Sequence, residues 1–192
     1  MRIGVFCGSN SGDDAAFAEA ARSLGRLLAS RKIGIVYGGG SVGLMGELAD
    51  AALSEGGEVV GVIPRAMWER EIGHRGLTQL HVVETMHERK ALMAELSDAF
   101  LALPGGLGTL EEIFEIWTWA QLGLHRKPCG FLNVNGFYTP LVGFLDSAVA
   151  AGFIRPQHRA IAIVDSDANV LLDRFAAYEP PAVHKWIDRD ET

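Results

Sequence analysis

Short apolar runs alternate with helix-like stretches almost from end to end of this chain, and that alternation restricts the fold more than any other feature. The strand-like runs are residues 2–8, 33–40, 58–64, 80–84, 98–106, 128–133 and 160–166. Helical patterns occupy 13–30 and 44–54, begin near Met86 and Thr109, and return at 138–150 and 168–178. Strands that are apolar on both faces have to be covered on both faces, and right-handed crossovers place helices over the sheet. The expected fold class is therefore α/β: a Rossmann-like, doubly wound, mainly parallel sheet in a three-layer α/β/α arrangement. Residues 1–180 form one expected domain and 181–192 a tail. Ser11 and Asp13 are the N-cap candidates for the first helix. Residues 65–79 follow neither pattern, and an irregular piece of that length in a compact domain is often a lid or a binding loop.

Composition removes several function classes. A net charge of −7 argues against general nucleic-acid binding, which calls for a basic face. No stretch reaches the ~18–20 apolar residues of a bilayer span, and MRIGVFCGSN lacks the apolar core of a leader. Cys7 and Cys129 lie far apart and outside any CxxC spacing, which fits a reducing cytoplasm. The histidines show no HExxH or comparable ligand spacing, so neither a metal nor a cofactor is expected.

In a doubly wound sheet, ligands bind outside the carboxyl ends of the strands, where backbone N–H groups and helix N-termini attract negative charge. Two glycine-rich loops have that placement. In YGGGSVGLMG, Gly38, Gly40 and Gly43 spell G-x-G-x-x-G. A dinucleotide site needs that loop after the first strand and an acid closing the next. Here it follows the second strand, and the next ends in Pro64-Arg65, which disfavours a nicotinamide-dependent oxidoreductase; a plain turn remains open. In PGGLGTLEE (104–112), Gly105, Gly106 and Gly108 remove side chains where an oxyanion would approach the backbone, and Thr109 adds a hydroxyl. Together the loops could hold one phosphate and its sugar. No Lys-Ser or Lys-Thr pair follows either, so neither is a P-loop.

Thr109-x-x-Glu112 has capping-box spacing, so on the residues alone Glu112 reads equally as a cap and as a catalytic carboxylate. Thr85-x-x-Glu88 has the same spacing, and there capping is the stronger reading. Arg89 and Lys90 fall in the early turns of the same helix, where cations oppose the macrodipole. They call for an anionic partner or form a solvated surface pair.

MHERK followed by PGGLGTLEE resembles the LOG ("lonely guy") family of cytokinin-riboside 5′-monophosphate phosphoribohydrolases. The family's PGGxGTxxE pattern is matched at Pro104, Gly105, Gly106, Gly108, Thr109 and Glu112. The likeness extends to CGSN, GGGSVGLMG and TWAQLGLHRKP, over about residues 3 to 165. It implies hydrolysis of the N-glycosidic bond of an N6-prenylated adenosine 5′-monophosphate, or of AMP, to free base and ribose 5-phosphate. It implies Arg89 and Glu112 as the catalytic pair. It implies substrate binding by Glu71, Lys90, Gly105, Gly106, Leu107, Gly108, Thr109, Leu110, Glu111 and Thr118, with Ser9, Gly39 and Gly40 from the other matched loops. Such proteins have also been described as lysine decarboxylases. A pyridoxal enzyme needs a Schiff-base lysine, and Lys32, Lys90, Lys127 and Lys185 sit in no recognisable pyridoxal motif.

The chemistry suits these residue types. Glycosidic cleavage develops positive charge at C1′ and O4′ of the ribose, which a carboxylate such as Glu112 stabilises while orienting the attacking water. Arg89 can stabilise the departing purine or hold the phosphate. On an ideal helix Thr118 lies about 9 Å along the axis and about 120° around from Glu112, too far for one small ligand to touch both in one subunit. The run IFEIWTWAQLGL (113–124) is apolar around most of its circumference, as in a fully buried helix or an interface. A homodimer with shared active sites is expected, in agreement with the family's dimeric sites. The alternative is a non-catalytic nucleotide or cofactor carrier, similar to molybdenum-cofactor carrier proteins, using the same loops without needing Arg89 and Glu112.

Overall fold

The computed structural model of the chain describes residues 1–70 and 73–181. Seven strands form one sheet: β1 (Arg2–Phe6), β2 (Gly34–Tyr37), β3 (Val59–Pro64), β4 (Gln79–Val83), β5 (Ala99–Ala102), β6 (Cys129–Leu132) and β7 (Ala162–Asp165). Their order is β4-β3-β2-β1-β5-β6-β7, with every neighbouring pair parallel. The helices are α1 (Ala15–Ser30), α2 (Gly43–Ser54), α3 (Arg65–Trp68), α4 (Met86–Leu96), α5 (Leu107–Gln121), α6 (Thr139–Ala150), α7 (Pro156–Arg159) and α8 (Ala168–Ala176). The expected doubly wound α/β class is the one found.

Alternation within each strand builds two cores. Ile3 and Val5 of β1, Ile35 and Tyr37 of β2, and Leu101 of β5 face α1, α2 and α8. Phe6, Val36 and Phe100 point the other way, to Met93 of α4, to Ile113 and Trp117 of α5, and to Leu145 of α6. This arrangement accounts for the unbroken apolar runs, since the inner strands have no solvent face. Edge strand β4 reads QLHVV and is only partly buried.

The chain lays down β1 to β4 in one direction, then crosses back to place β5 on the other side of β1. That reversal opens a crevice between the carboxyl ends of β1 and β5, the place where such sheets take ligands.

Three local expectations differ from the structure. The N-cap of α1 is Asp14, whose carboxylate accepts the Ala16 N–H at 2.8 Å, one residue beyond the Asp13 candidate. Part of the irregular segment 65–79 is ordered into α3, and Gly73 forms a bridge to Gly40. The PGG helix begins at Leu107 rather than near Thr109. Of the expected tail, 182–192 lies outside the described residues.

Candidate active site

A cavity of about 470 Å³ fills the β1/β5 crevice, within the size range of small-molecule sites. Cys7 and Gly8 at the exit of β1, Gly38 and Gly40 after β2, and the Pro104–Thr109 stretch after β5 line it. Met45, Met67, Met86, Phe17 and Phe137 give the rest an apolar wall.

Backbone hydrogen bonds hold the loops together. The Gly8 N–H donates to the Pro104 carbonyl at 3.1 Å, and the Leu44 N–H donates to the Gly8 carbonyl at 3.0 Å. Gly105 is confined: a Cβ there would run into the Thr109 side chain and lie 2.9 Å from the Gly8 nitrogen. Gly106 and Gly108 face open space instead. Gly106 caps α5 and has no side chain to offer the amides of the first turn. A helix start of this kind that lines a cavity suits an anionic group.

The charged part of the site comes from α4 and α5. Thr85 caps α4: its hydroxyl accepts the Glu88 N–H at 3.1 Å, while the Glu88 carboxylate reaches one residue past the cap to accept the Glu84 N–H at 2.8 Å. One turn in, Arg89 and Lys90 are 7% and 9% exposed, and both meet carboxylates of α5. Arg89 Nη2 lies 3.0 Å from Glu112 Oε1. Lys90 Nζ lies 2.6 Å from Glu111 Oε1 and 2.9 Å from Glu115 Oε2. The anionic partners that these cations call for are thus supplied by the protein itself.

Two cations facing three carboxylates leave an excess of negative charge. Burial raises the pKa of Glu112; Glu111 and Glu115 push it the same way, while Arg89 and Lys90 oppose the rise. Burial, then the Glu112 charge, raises the Cys7 thiol as well, so Cys7 stays protonated and inert. Arg89 Nε is buried without a hydrogen-bond partner among the described residues. Gly38 leaves the room that Arg89 needs, since a Cβ there would overlap its guanidinium.

Thr109 and Glu112 do not form a capping box. The Leu110 N–H already donates to the Gly106 carbonyl at 3.1 Å, which puts both residues inside the helix and leaves Glu112 to Arg89.

Ser9, Gly40, Arg89, Gly105, Gly106, Leu107, Gly108, Thr109, Glu111 and Glu112 all line the cavity. Four other expected positions do not. Gly39, at φ 73°, turns the backbone against Ile63, and Leu110 packs into the core beneath α5. Lys90 is turned to Glu111 and Glu115. Thr118 is exposed and donates its hydroxyl to the Phe114 carbonyl at 2.7 Å. Glu71 lies outside the described residues. Sequence reasoning missed Glu115, although its i, i+4 spacing from Glu111 put both on one helix face.

A family model described as "possible lysine decarboxylase" matches residues 45–175. Among sequence relatives, a cytokinin riboside 5′-monophosphate phosphoribohydrolase of Rhodococcoides fascians is 54% identical over 166 residues, covering 86% of this chain and 84% of the relative. One from Arabidopsis thaliana is 51% identical over 179 residues, covering 93% and 82%. A probable one from Oryza sativa subsp. japonica is also 51% identical over 179 residues, covering 93% and 79%. Among solved structures, the molybdenum cofactor carrier protein of Chlamydomonas reinhardtii matches with a TM-score of 0.70 at 23% identity, over 92% of this chain and 98% of that one; that likeness shows the fold alone. Among the described residues no lysine lines the cavity, so a pyridoxal aldehyde would meet no Schiff-base partner there. With about half of its residues shared with these enzymes along most of its length, the chain belongs to the LOG family of cytokinin riboside 5′-monophosphate phosphoribohydrolases.

Proposed function

We propose that this protein hydrolyses the N-glycosidic bond of adenosine 5′-monophosphates, N6-prenylated or unmodified, and releases the free base and ribose 5-phosphate. The observation that carries the reading is the buried Arg89–Glu112 pair, 3.0 Å apart, in the wall of a cavity that the glycine-capped start of α5 also lines. The 5′-phosphate would sit on the amides of Gly106 to Thr109, beside the Gly8–Ser9 turn. The ribose would then lie toward Glu112. Water adds to C1′ as the C1′–N9 bond breaks, the bond's electron pair leaves with the purine, and the purine takes up a proton from solvent, balanced when the proton given up by the attacking water returns to solvent from Glu112. The Glu112 carboxylate stabilises the positive charge on the sugar and accepts the proton of the attacking water. Arg89 draws the Glu112 pKa back down against the larger effect of burial, and its guanidinium lines the cavity beside that carboxylate.

A carrier needs the loops but not a buried acid paired with arginine. Incubation with AMP and with isopentenyl-AMP, followed by assay for free base and ribose 5-phosphate, tests the reading. Binding with no product from either nucleotide would establish a carrier instead.

The active unit is a homodimer in which Thr118 serves the neighbouring subunit's site. Supporting this, Thr118 is exposed on α5 while Leu122 and Leu124 beyond it are 48% and 64% exposed. No described helix is long and apolar enough to cross a membrane. Cys7 and Cys129 are free and buried, which suits the cytoplasm as the place of reaction.

A further inference from the structure

Resting on the hydrolase reading, we propose that His74 is a positioning residue for the purine end of the cavity. Tied to Asp50 of α2, it holds residues 73–76 across the Gly38–Gly40 loop and fixes that loop against α3, and so sets how well an N6 substituent is held. The order of the strands says where that end lies. Gly106 to Thr109 follow β5, on one side of β1, whereas Gly38 and Gly40 follow β2, Met67 follows β3 and Met86 follows β4, all on the other side. With the phosphate on the β5 loop and the ribose at Glu112, the base points across β1 toward Gly40, Met67 and Met86, which line the cavity there.

Residues 73–76 join those walls. Gly73 pairs with Gly40 in an antiparallel bridge, and the His74 N–H donates to the Gly39 carbonyl at 2.9 Å. Gly73 also lies against the Trp68 ring of α3 with no room for a Cβ, and Met67 directly precedes Trp68. The His74 ring anchors this junction. Its Nδ1 accepts the Gly76 N–H at 3.0 Å, so the proton of the neutral ring sits on Nε2, which donates to Asp50 Oδ1 at 2.8 Å. The imidazole is inside, with the side chain 10% exposed, while that of Asp50 is 73% exposed and reaches in from the surface of α2. Beyond the turn, Leu77 packs against the core and the Thr78 hydroxyl accepts the Val59 N–H at 3.0 Å, which holds the far end of the segment without His74. Loss of the ring therefore frees the cavity end of the segment and leaves the fold beneath it. The hydrogen bonds of His74 go to Gly39, Asp50 and Gly76, none of them in the phosphate loop, so the phosphate end of the cavity should not feel the change.

The test measures kcat and KM for AMP and for isopentenyl-AMP, and the inhibition constant of ribose 5-phosphate, in His74→Ala, Asp50→Ala and Asp50→Asn. Calorimetry gives the affinity for both nucleotides with the same changes made in a Glu112→Gln background, where turnover is stopped. In His74→Ala, KM for isopentenyl-AMP rises about tenfold and KM for AMP about threefold or less, while inhibition by ribose 5-phosphate, which has no base, stays within about twofold. Asp50→Ala moves the same way. Asp50→Asn, whose amide oxygen still accepts the Nε2 proton, stays near wild type. A His74→Ala protein in which both nucleotides and ribose 5-phosphate weaken together would make the role one of general stability and end the proposal. So would equal losses for the two nucleotides, KM values that stay at wild type, or an Asp50→Asn protein as damaged as Asp50→Ala. Should His74→Ala not fold, Asp50→Ala, a change at an exposed side chain, carries every arm. A wild-type protein that binds both nucleotides and releases no product counts against the hydrolase reading alone, since the affinities in the Glu112→Gln background still decide the role of His74.

Discussion

Glu112 is a carboxylate asked to work where burial favours its acid form. Its pKa lies above the ordinary glutamate value, chiefly through burial. If the ionised form does the chemistry, kcat/KM falls as pH drops through that raised value, and the acid limb lies above the usual glutamate range. Stability has the opposite sign. Between the ordinary and the raised pKa the folded state holds more protons than the unfolded one, so this residue's contribution declines as pH rises through that window. Melting temperature and kcat/KM measured across the same pH series should thus run in opposite directions through it. Glu112→Gln should remain folded and lose kcat by about 100-fold or more; turnover near wild type would remove Glu112 from the mechanism. Gly38 offers a milder probe of its partner. A methyl group there meets the far end of the Arg89 side chain, not backbone, so Gly38→Ala should fold while displacing the guanidinium. Kinetics should show kcat lowered roughly tenfold with a smaller change in KM, as for a misplaced catalytic group.

At the scale of elements, what could be read in advance was whatever rests on local pattern. The unbroken apolar runs of β2, β3, β5 and β6 announced strands buried on both faces, and Thr85 and Glu88 announced the start of α4. The start of α5 was hidden because Gly108 is a poor helix former and Thr109 offers a capping side chain. Tertiary contact decides instead: Gly105 is wedged against Thr109 and the β1 exit loop, and the helix begins at once after it. The three-carboxylate face of α5 was equally hidden, since only the packing of α4 shows that Glu115 is shared. The junction at Gly105 can be tested. In Gly105→Ala the new methyl meets both Thr109 and the Gly8 backbone, where little can yield. That should disturb the phosphate loop and raise KM for a 5′-monophosphate about tenfold, with ribose 5-phosphate inhibiting correspondingly less. An unchanged KM would place the phosphate elsewhere.

Several large apolar side chains face solvent among the described residues. Leu122 and Leu124 at the end of α5 are exposed, as are Phe144 on α6 and Phe153 beyond it, at 68% and 88%. Where such side chains lie together in one patch they mark an interface, and the proposed dimer would bring those at the end of α5 against a second subunit. Thr118 lies on the same helix as Glu112 but lines no part of the cavity in its own subunit, which is where a residue working in the neighbour's site would be found. If each site combines Glu112 of one subunit with Thr118 of the other, two defective proteins should complement. A mixed dimer of Glu112→Gln and Thr118→Val subunits has one site with both defects and one with neither. Random pairing of equal amounts makes about half of the dimers mixed, so about a quarter of the sites should regain wild-type activity after unfolding and refolding together. If Thr118 instead serves its own subunit, every site in the mixture carries one defect, and co-refolding returns no more than the average of the two separate proteins. Sedimentation at the assay concentration, with Leu122→Asp as the dissociated control, shows whether the dimer is present when the two activities are compared.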